Sequence, residues 1–441
     1  MFSKRKIVKF NNGLVLLFRK RKINKGVYFR LTFQAGALNE GQRDGLAHLS
    51  EHCLAGSLGT KTRTKDEIIE FHKSLKEWNA YTSIDDIAFW FYSSVKDFAK
   101  AIDSIMDCLT NVKYDETEFE NEKKVVIQEI KNKKQSVEKD CYEMDCRENY
   151  INKLIFAKCN VGGTAESVKD ITFEEVLKHK ESVLTLDNAR INVVGNISLF
   201  KVKRIIKNKI FPLLPKHKIR DTVRLNDLYG MVGGNASITN SSEKEKSLVC
   251  FRFIIDKEEK IGDGIPFSYI GYALRYMSTK LYRDKYGLCY SSNVIASCGN
   301  KNIELFIKIN CEENNVPKVL EVTPEFITML KNIKFTKEDI KITYEHLQKS
   351  KDASMPISHK EIAQDMGGEY LNFGRFITWF EKKKIKWARK HIKPEKVQVL
   401  FDSFFKVDPY ILIVTNHEFD KPFNYEEYKQ KIKEAINEKS N

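Results

Sequence analysis

The chain opens on a hairpin pattern: Ile7-Val8-Lys9-Phe10 is rich in β-formers, Asn11-Asn12-Gly13 is a turn signal, and Leu14 to Phe18 returns, so residues 5–19 pair with themselves. Alternation predicts a strand over Val27 to Phe33. Helical spacing follows over 44–55, 65–77, 94–110 and 115–157, with a strand over Asp86 to Ser93 and a closing strand over Asn188 to Val194. The stretch from about 212 to 246 turns polar and turn-rich, with Gly230, Gly233-Gly234 and Asn240-Ser241-Ser242. The pattern then restarts with a strand over Leu248 to Ile255 and a helix over 265–283. A strand pair over 288–310, helices over 316–331, 336–350 and 359–382, and a last strand over Tyr410 to Val414 complete it. The same order twice predicts an α+β protein of two homologous halves, each an antiparallel-rich sheet with helices packed on it. The expected boundaries are 1–212, a linker over 213–246, and 247–441.

Composition narrows the class. The sequence has 441 residues, 42% hydrophobic, which supports two sizeable cores and excludes a disordered, collagenous or disulfide-stapled chain. Apolar runs such as Leu14 to Phe18, Ile87 to Tyr92 and Tyr410 to Val414 have strand length, far below the roughly 20 residues of a membrane span. The basic start, Met1 to Lys6, leads into a strand and a turn instead of an apolar signal region. Nine scattered Cys without a C-x-x-C pair suit a reducing compartment, and a cytoplasmic location is expected. The net charge of +15 is spread among interleaved Asp and Glu. Its densest clusters, Arg19-Lys20-Arg21 and Lys382-Lys383-Lys384, fall on a hairpin and a helix face with no aromatic platform following, so no nucleic-acid partner is expected.

One segment carries chemistry. In Gly45-Leu46-Ala47-His48-Leu49-Ser50-Glu51-His52-Cys53-Leu54-Ala55-Gly56, a period of about 100° per residue puts His48, Glu51 and His52 on one face and Leu46, Leu49 and Leu54 on the other. Histidines four apart can both reach one Zn²⁺, while Glu51 stays off the metal and faces a bound water; this is the H-x-x-E-H pattern. Two partly exposed histidines on an amphipathic helix would read the same way. Glu129 is the candidate third ligand, on a helix face beside Val125, Val126 and Ile130, and Glu122, two turns earlier, is placed to orient a histidine. Both could instead be solvated glutamates. Cys53 reads as a small packed residue.

With these residues in place, the chain resembles the pitrilysin and insulinase zinc peptidases, closest to the mitochondrial-processing-peptidase type. Asp44 to His52 with Gly59-Thr60 is similar to the family's zinc helix, and Glu122 to Ile130 to its second motif. Asn79-Ala80-Tyr81-Thr82 resembles its substrate-pairing edge strand. Val161 to Thr172 with Gly195 resembles the end of its first half, and Leu281 to Tyr290 resembles its Arg and Tyr segment. Lys76-Glu77-Trp78 departs from the glycine pair the family often places before Asn-Ala, and Ser50 from a larger apolar residue.

The resemblance implies one Zn²⁺ held by His48, His52 and Glu129, Glu51 as general base, Glu122 as support, and hydrolysis with no covalent intermediate. Arg283 and Tyr290 would donate to substrate or oxyanion, and the peptide would add as a strand beside Asn79 to Thr82. Such a chain is half of a clamshell, which implies a homodimer, or a heterodimer with a related subunit, enclosing unfolded peptides. A non-catalytic or partner-dependent subunit of a heterodimeric processing peptidase is the alternative. The basic balance mildly favours neutral or acidic peptides as substrates.

Overall fold

The computed structural model describes residues 5–23, 25–132, 136, 161–216, 236–256, 265–298, 302–352 and 358–437. These fall into two compact units: 1–134, 154–228 and 356–377 form the first, and 135–153, 229–355 and 378–441 the second.

The first unit is built on a six-stranded sheet of β1 (Lys6–Lys9), β2 (Val15–Lys20), β3 (Gly26–Phe33), β4 (Glu77–Thr82), β5 (Ile87–Ser94) and β6 (Ala189–Gly195). Its order is β1-β2-β6-β3-β5-β4; β2 and β6 run parallel and the other neighbours antiparallel. Strand alternation divides the side chains between two faces. Phe29, Leu31, Phe33, Phe89 and Phe91 point into the larger core, where α1 (Leu46–His52), α2 (Lys65–Ser74), α3 (Phe98–Thr110), α4 (Glu116–Asn132), α5 (Ala165–Lys169), α6 (Phe173–Val183) and α7 (Leu199–Lys209) contribute packing. Leu17, Tyr28, Trp90 and Val194 point the other way. A helix from far along the chain covers them.

That helix is α11 (His359–Phe373), whose Ile362, Ala363 and Met366 pack on this face. Asn192 donates to the Ala363 carbonyl at 2.6 Å, and Arg5 pairs with Glu369 at 2.6 Å. The single helix expected over 359–382 is two helices. Gly374, at φ +63°, ends α11 in a left-handed residue that favours glycine, and a capping box of Thr378 with Glu381 starts α12 (Trp379–Lys390). The helix expected over 115–157 is described as far as Asn132; the rest of that span, apart from residue 136, lies outside the described residues, as do the expected linker glycines Gly230, Gly233 and Gly234.

The second unit carries β7 (Ala236–Thr239), β8 (Lys246–Asp256), β9 (Cys289–Cys298), β10 (Asn302–Glu312) and β11 (Tyr410–Val414) in the order β7-β11-β8-β10-β9. As β2 does with β6 in the first sheet, β7 pairs in parallel with the last strand, β11, and all other pairs are antiparallel. Its helices are α8 (Ile265–Ser278), α9 (Val316–Lys331), α10 (Lys337–Asp352), α12, α13 (Pro394–Phe404) and α14 (Tyr425–Asn437). Strand for strand, β7 to β11 repeat β2 to β6; β8 to β11 follow the recurring hydrophobic pattern, whereas β7 lies inside the stretch 213–246 expected as a linker. Helices α5, α7 and α14 lie outside the expected spans, while α6 and α13 fall in the stretches Thr172 to Ile197 and Lys386 to Thr415, whose patterns correspond. No described helix is long and apolar enough to cross a membrane.

Candidate metal centre

Helix α1 begins after Gly45, which takes φ +87°, and continues into a wider turn over Cys53–Ser57. Leu46, Ala47 and Leu49 are buried and fix the helix on the core, which turns His48 and His52 towards α4. Their rings lie edge to face with centroids 4.7 Å apart. Glu129 reaches them from α4: its Oε2 is 3.8 Å from His48 Nε2 and 3.5 Å from His52 Nε2. The candidate ligand atoms of these three residues all lie within 4.8 Å of one another, the one such group among the described residues. Bonds of about 2.0 Å to a tetrahedral zinc require ligand atoms about 3.3 Å apart. Two nitrogens and a carboxylate oxygen at these separations fit a zinc ion.

Glu122, also on α4 and buried, accepts from His52 Nδ1 at 2.8 Å, which leaves His52 Nε2 facing Glu129. Burial disfavours the His52 imidazolium, but the Glu122 hydrogen bond and the nearby carboxylates outweigh it and hold the pKa above the ordinary value. Burial likewise disfavours the Glu122 carboxylate, and the bond to His52 outweighs it, so its pKa is lowered. A carboxylate-rich pocket that favours a proton on His52 also favours a divalent cation in the proton's place.

Contrary to what the apolar residues beside it predict, Glu129 does not lie on a packed face. Glu129 is 50% exposed at the rim, with Val125 exposed nearby, whereas Glu122 is the buried carboxylate. Glu51 lies deeper, 8% exposed. Desolvation is the main cause that pushes its pKa up to about 7, with the Glu129 and Glu122 charges adding and His52 opposing. Thr82 of β4 donates to Glu51 Oε2 at 3.3 Å. Ser57 donates to the His52 carbonyl at 2.8 Å.

The edge of the sheet runs alongside. Among the described residues β4 pairs only with β5, and its alternation sends Trp78, Ala80 and Thr82 to the α1 side and Tyr81 to the α11 side. Tyr81 there donates to Asp86 at 2.6 Å and accepts from Arg30. Of the segment Asn79 to Thr82, the side chain of Tyr81 thus turns away from Glu51, while Thr82 touches it. Trp78, the departure noted in the sequence, stacks on His72 with centroids 3.6 Å apart. Both line a cavity of about 620 Å³ that also touches Glu51, His52, Glu122 and Ile68. The Trp78–His72 stack was not anticipated, since no local pattern pairs residues from a helix and a following strand.

Arg283 and Tyr290 belong to the second unit. Arg283 is exposed in the turn Thr279–Lys285, and Tyr290 is 89% exposed at the start of the edge strand β9. The first unit therefore brings His48, Glu51, His52, Glu122, Glu129 and Thr82 together, and Arg283 and Tyr290 belong to the second unit.

In both sequence and fold the chain is similar to known proteins. Residues 15–155 match the insulinase model of peptidase family M16, and residues 170–345 match the model for the inactive domain of the same family. The chain belongs to peptidase family M16, the insulinase family. It is 22% identical over 373 residues to an uncharacterized zinc protease of Bacillus subtilis, covering 82% of this chain and 87% of that one. With the mitochondrial-processing peptidase subunit beta of Neurospora crassa it shares 26% identity over 159 residues, 35% of this chain and 31% of the other. In fold it is similar to the periplasmic protease PqqL of Escherichia coli (TM-score 0.81, 16% identity, 99% of this chain and 50% of that one). It is also similar to a peptidase M16 inactive domain of Pseudomonas fluorescens (TM-score 0.77, 16% identity, 95% and 100%).

Proposed function

We propose that this chain is a zinc-dependent endopeptidase acting on unfolded peptides. The observation that carries the reading is the convergence of His48, His52 and Glu129 beside a buried Glu51. A zinc ion held by these three residues would polarise the scissile carbonyl and lower the pKa of water. Glu51, with a pKa pushed up to about 7, is suited to take a proton from that water and pass it to the leaving amine. Glu122 holds the His52 ring so that Nε2 faces Glu129. The free edge of β4 offers main-chain groups to an extended peptide, a mode of binding that tolerates many side chains. Arg283 and Tyr290 carry the donor role that the family resemblance gives them, and the working assembly is a homodimer, or a heterodimer with a related subunit.

Metal analysis and peptide cleavage test the reading together. One zinc per chain is expected, lost in His52→Ala, and Glu51→Gln should keep the zinc while losing cleavage. A wild-type chain free of zinc would leave a non-catalytic subunit, and cleavage retained in Glu51→Gln would remove Glu51 as the base.

A further inference from the structure

The cluster Lys382-Lys383-Lys384 has no part in the metal centre, and α12 gives it a context that the sequence reading missed. Aromatic residues flank it on the exposed side: Trp379 is 61%, Phe380 78% and Trp387 64% exposed. The inner face of α12 is anchored, because Ile385 and Ala388 pack on the second unit's core and Tyr269 donates to the Arg389 carbonyl.

At about 100° per residue, Trp379, Phe380 and Trp387 fall within one arc of about 100°, directly opposite Ile385 and Ala388. Lys382 and Lys386 flank this ridge on one side and Lys384 on the other, while Lys383 and Lys390 lie along its crest. The Lys383 ammonium sits over the Trp379 ring, 3.8 Å from its centroid. The helix has a single acidic residue, Glu381, which caps its own N-terminus by accepting from Thr378. An aromatic crest between rows of lysine is the arrangement of a helix lying in a bilayer surface, with rings in the headgroup layer and ammonium groups on lipid phosphates.

We propose that α12 docks this protein on anionic lipid bilayers. Charge decides among the possible occupants. A second copy would bring one lysine-rich face against another, whereas an anionic surface neutralises the lysines and receives the rings at the same time. A single-stranded nucleic acid would satisfy the charge, but the ridge is one convex helix face and not a groove that tracks a backbone.

The test uses the full chain with vesicles of phosphatidylcholine, with and without about 30 mol% phosphatidylglycerol, at about 0.1 M salt. Binding is expected only with phosphatidylglycerol, accompanied by a blue shift of tryptophan emission, since Trp379 and Trp387 are two of four tryptophans. Lys383→Glu with Lys386→Glu should weaken binding at least ~10-fold. Trp379→Ala with Trp387→Ala should weaken it and abolish the blue shift. The equally charged control Arg204→Glu with Lys207→Glu, on α7 of the first unit, should bind as wild type with zinc content unchanged in all three variants.

Absence of binding to the anionic vesicles would overturn the proposal, as would an equal loss in the control, which would reduce it to general charge. A concentration-dependent dimer dissolved by the tryptophan variant, with no vesicle binding, would assign the ridge to a second copy instead. A gel shift of single-stranded RNA that depends on Lys383 and Lys386, again without vesicle binding, would assign it to nucleic acid.

Discussion

The two sheets differ in what stands between their third-last and edge strands. In both units a helix runs from the centre of the sheet into a widened turn and then a glycine in the left-handed region, Gly59 at φ +75° in the first and Gly287 at φ +63° in the second. Counting back from these glycines puts Tyr276, Thr279 and Lys280 where His48, Glu51 and His52 stand. Tyr276 and Lys280 are exposed, with the ammonium 5.7 Å from the ring centroid, and no metal-compatible group occurs among the second unit's described residues. One backbone plan therefore serves two roles. The chemistry depends on a few side chains of one helix and on the carboxylates that α4 brings opposite them.

The largest effect expected from breaking this contrast is on turnover. Glu51→Gln should lower peptide cleavage by about 10² to 10⁴-fold with the metal retained, measured at saturating zinc. Glu122→Ala frees the His52 ring and should weaken zinc affinity by about 10 to 100-fold, read by chelator competition. Thr279→Glu in the second unit should change neither quantity.

Acid should distinguish the units next. Burial, with Arg63 adding, pushes His72 down to about 4. Between the ordinary histidine value near 6.5 and that folded value, the unfolded chain binds a proton that the folded chain does not, so stability is lost as pH falls through this window. The loss for His72 alone is about 3 kcal/mol. Burial also pushes His359 of the same unit down to about 4. Hydrogen exchange at pH 4.5 should therefore show the first unit opening before the second, and His72→Gln should flatten the first unit's pH dependence. Trp78→Ala removes the ring stacked on His72 and should cost about 2 kcal/mol in denaturant unfolding.

The smallest contrast is between the two glycines. A Cβ on Gly287 would meet nothing within 4 Å, so alanine there costs only the left-handed strain of about 1 kcal/mol. On Gly59 it would come 3.2 Å from the Arg63 carbonyl oxygen and the Lys65 nitrogen, and the cost should be larger by up to about 1 kcal/mol.

What could be read from the sequence follows from the range of the forces involved. The repeat was legible because each sheet is assembled from local strand and helix periods recurring in the same order. His48, Glu51 and His52 were legible because helical spacing alone puts them on one face, and the pairing of Glu122 with Glu129 uses the same rule. The break at Gly374 and the Thr378-x-x-Glu381 cap were also written in the chain, yet the helical pattern on either side masked them. The degree of exposure of Glu129, the stack of Trp78 on His72 and the Thr82–Glu51 bond depend on how distant segments meet. No periodicity encodes that.

The position of α11 bears on synthesis. Leu17, Tyr28, Trp90 and Val194 all belong to strands complete by Gly195, but the helix that covers them begins at His359. During translation the first sheet therefore emerges with one greasy face open, and it waits while the stretch from Asn196 to Ser358, more than a third of the chain, follows it out of the ribosome. Nascent chains stalled before residue 359 should accordingly bind holding chaperones, and release should coincide with the emergence of Ile362, Ala363 and Met366.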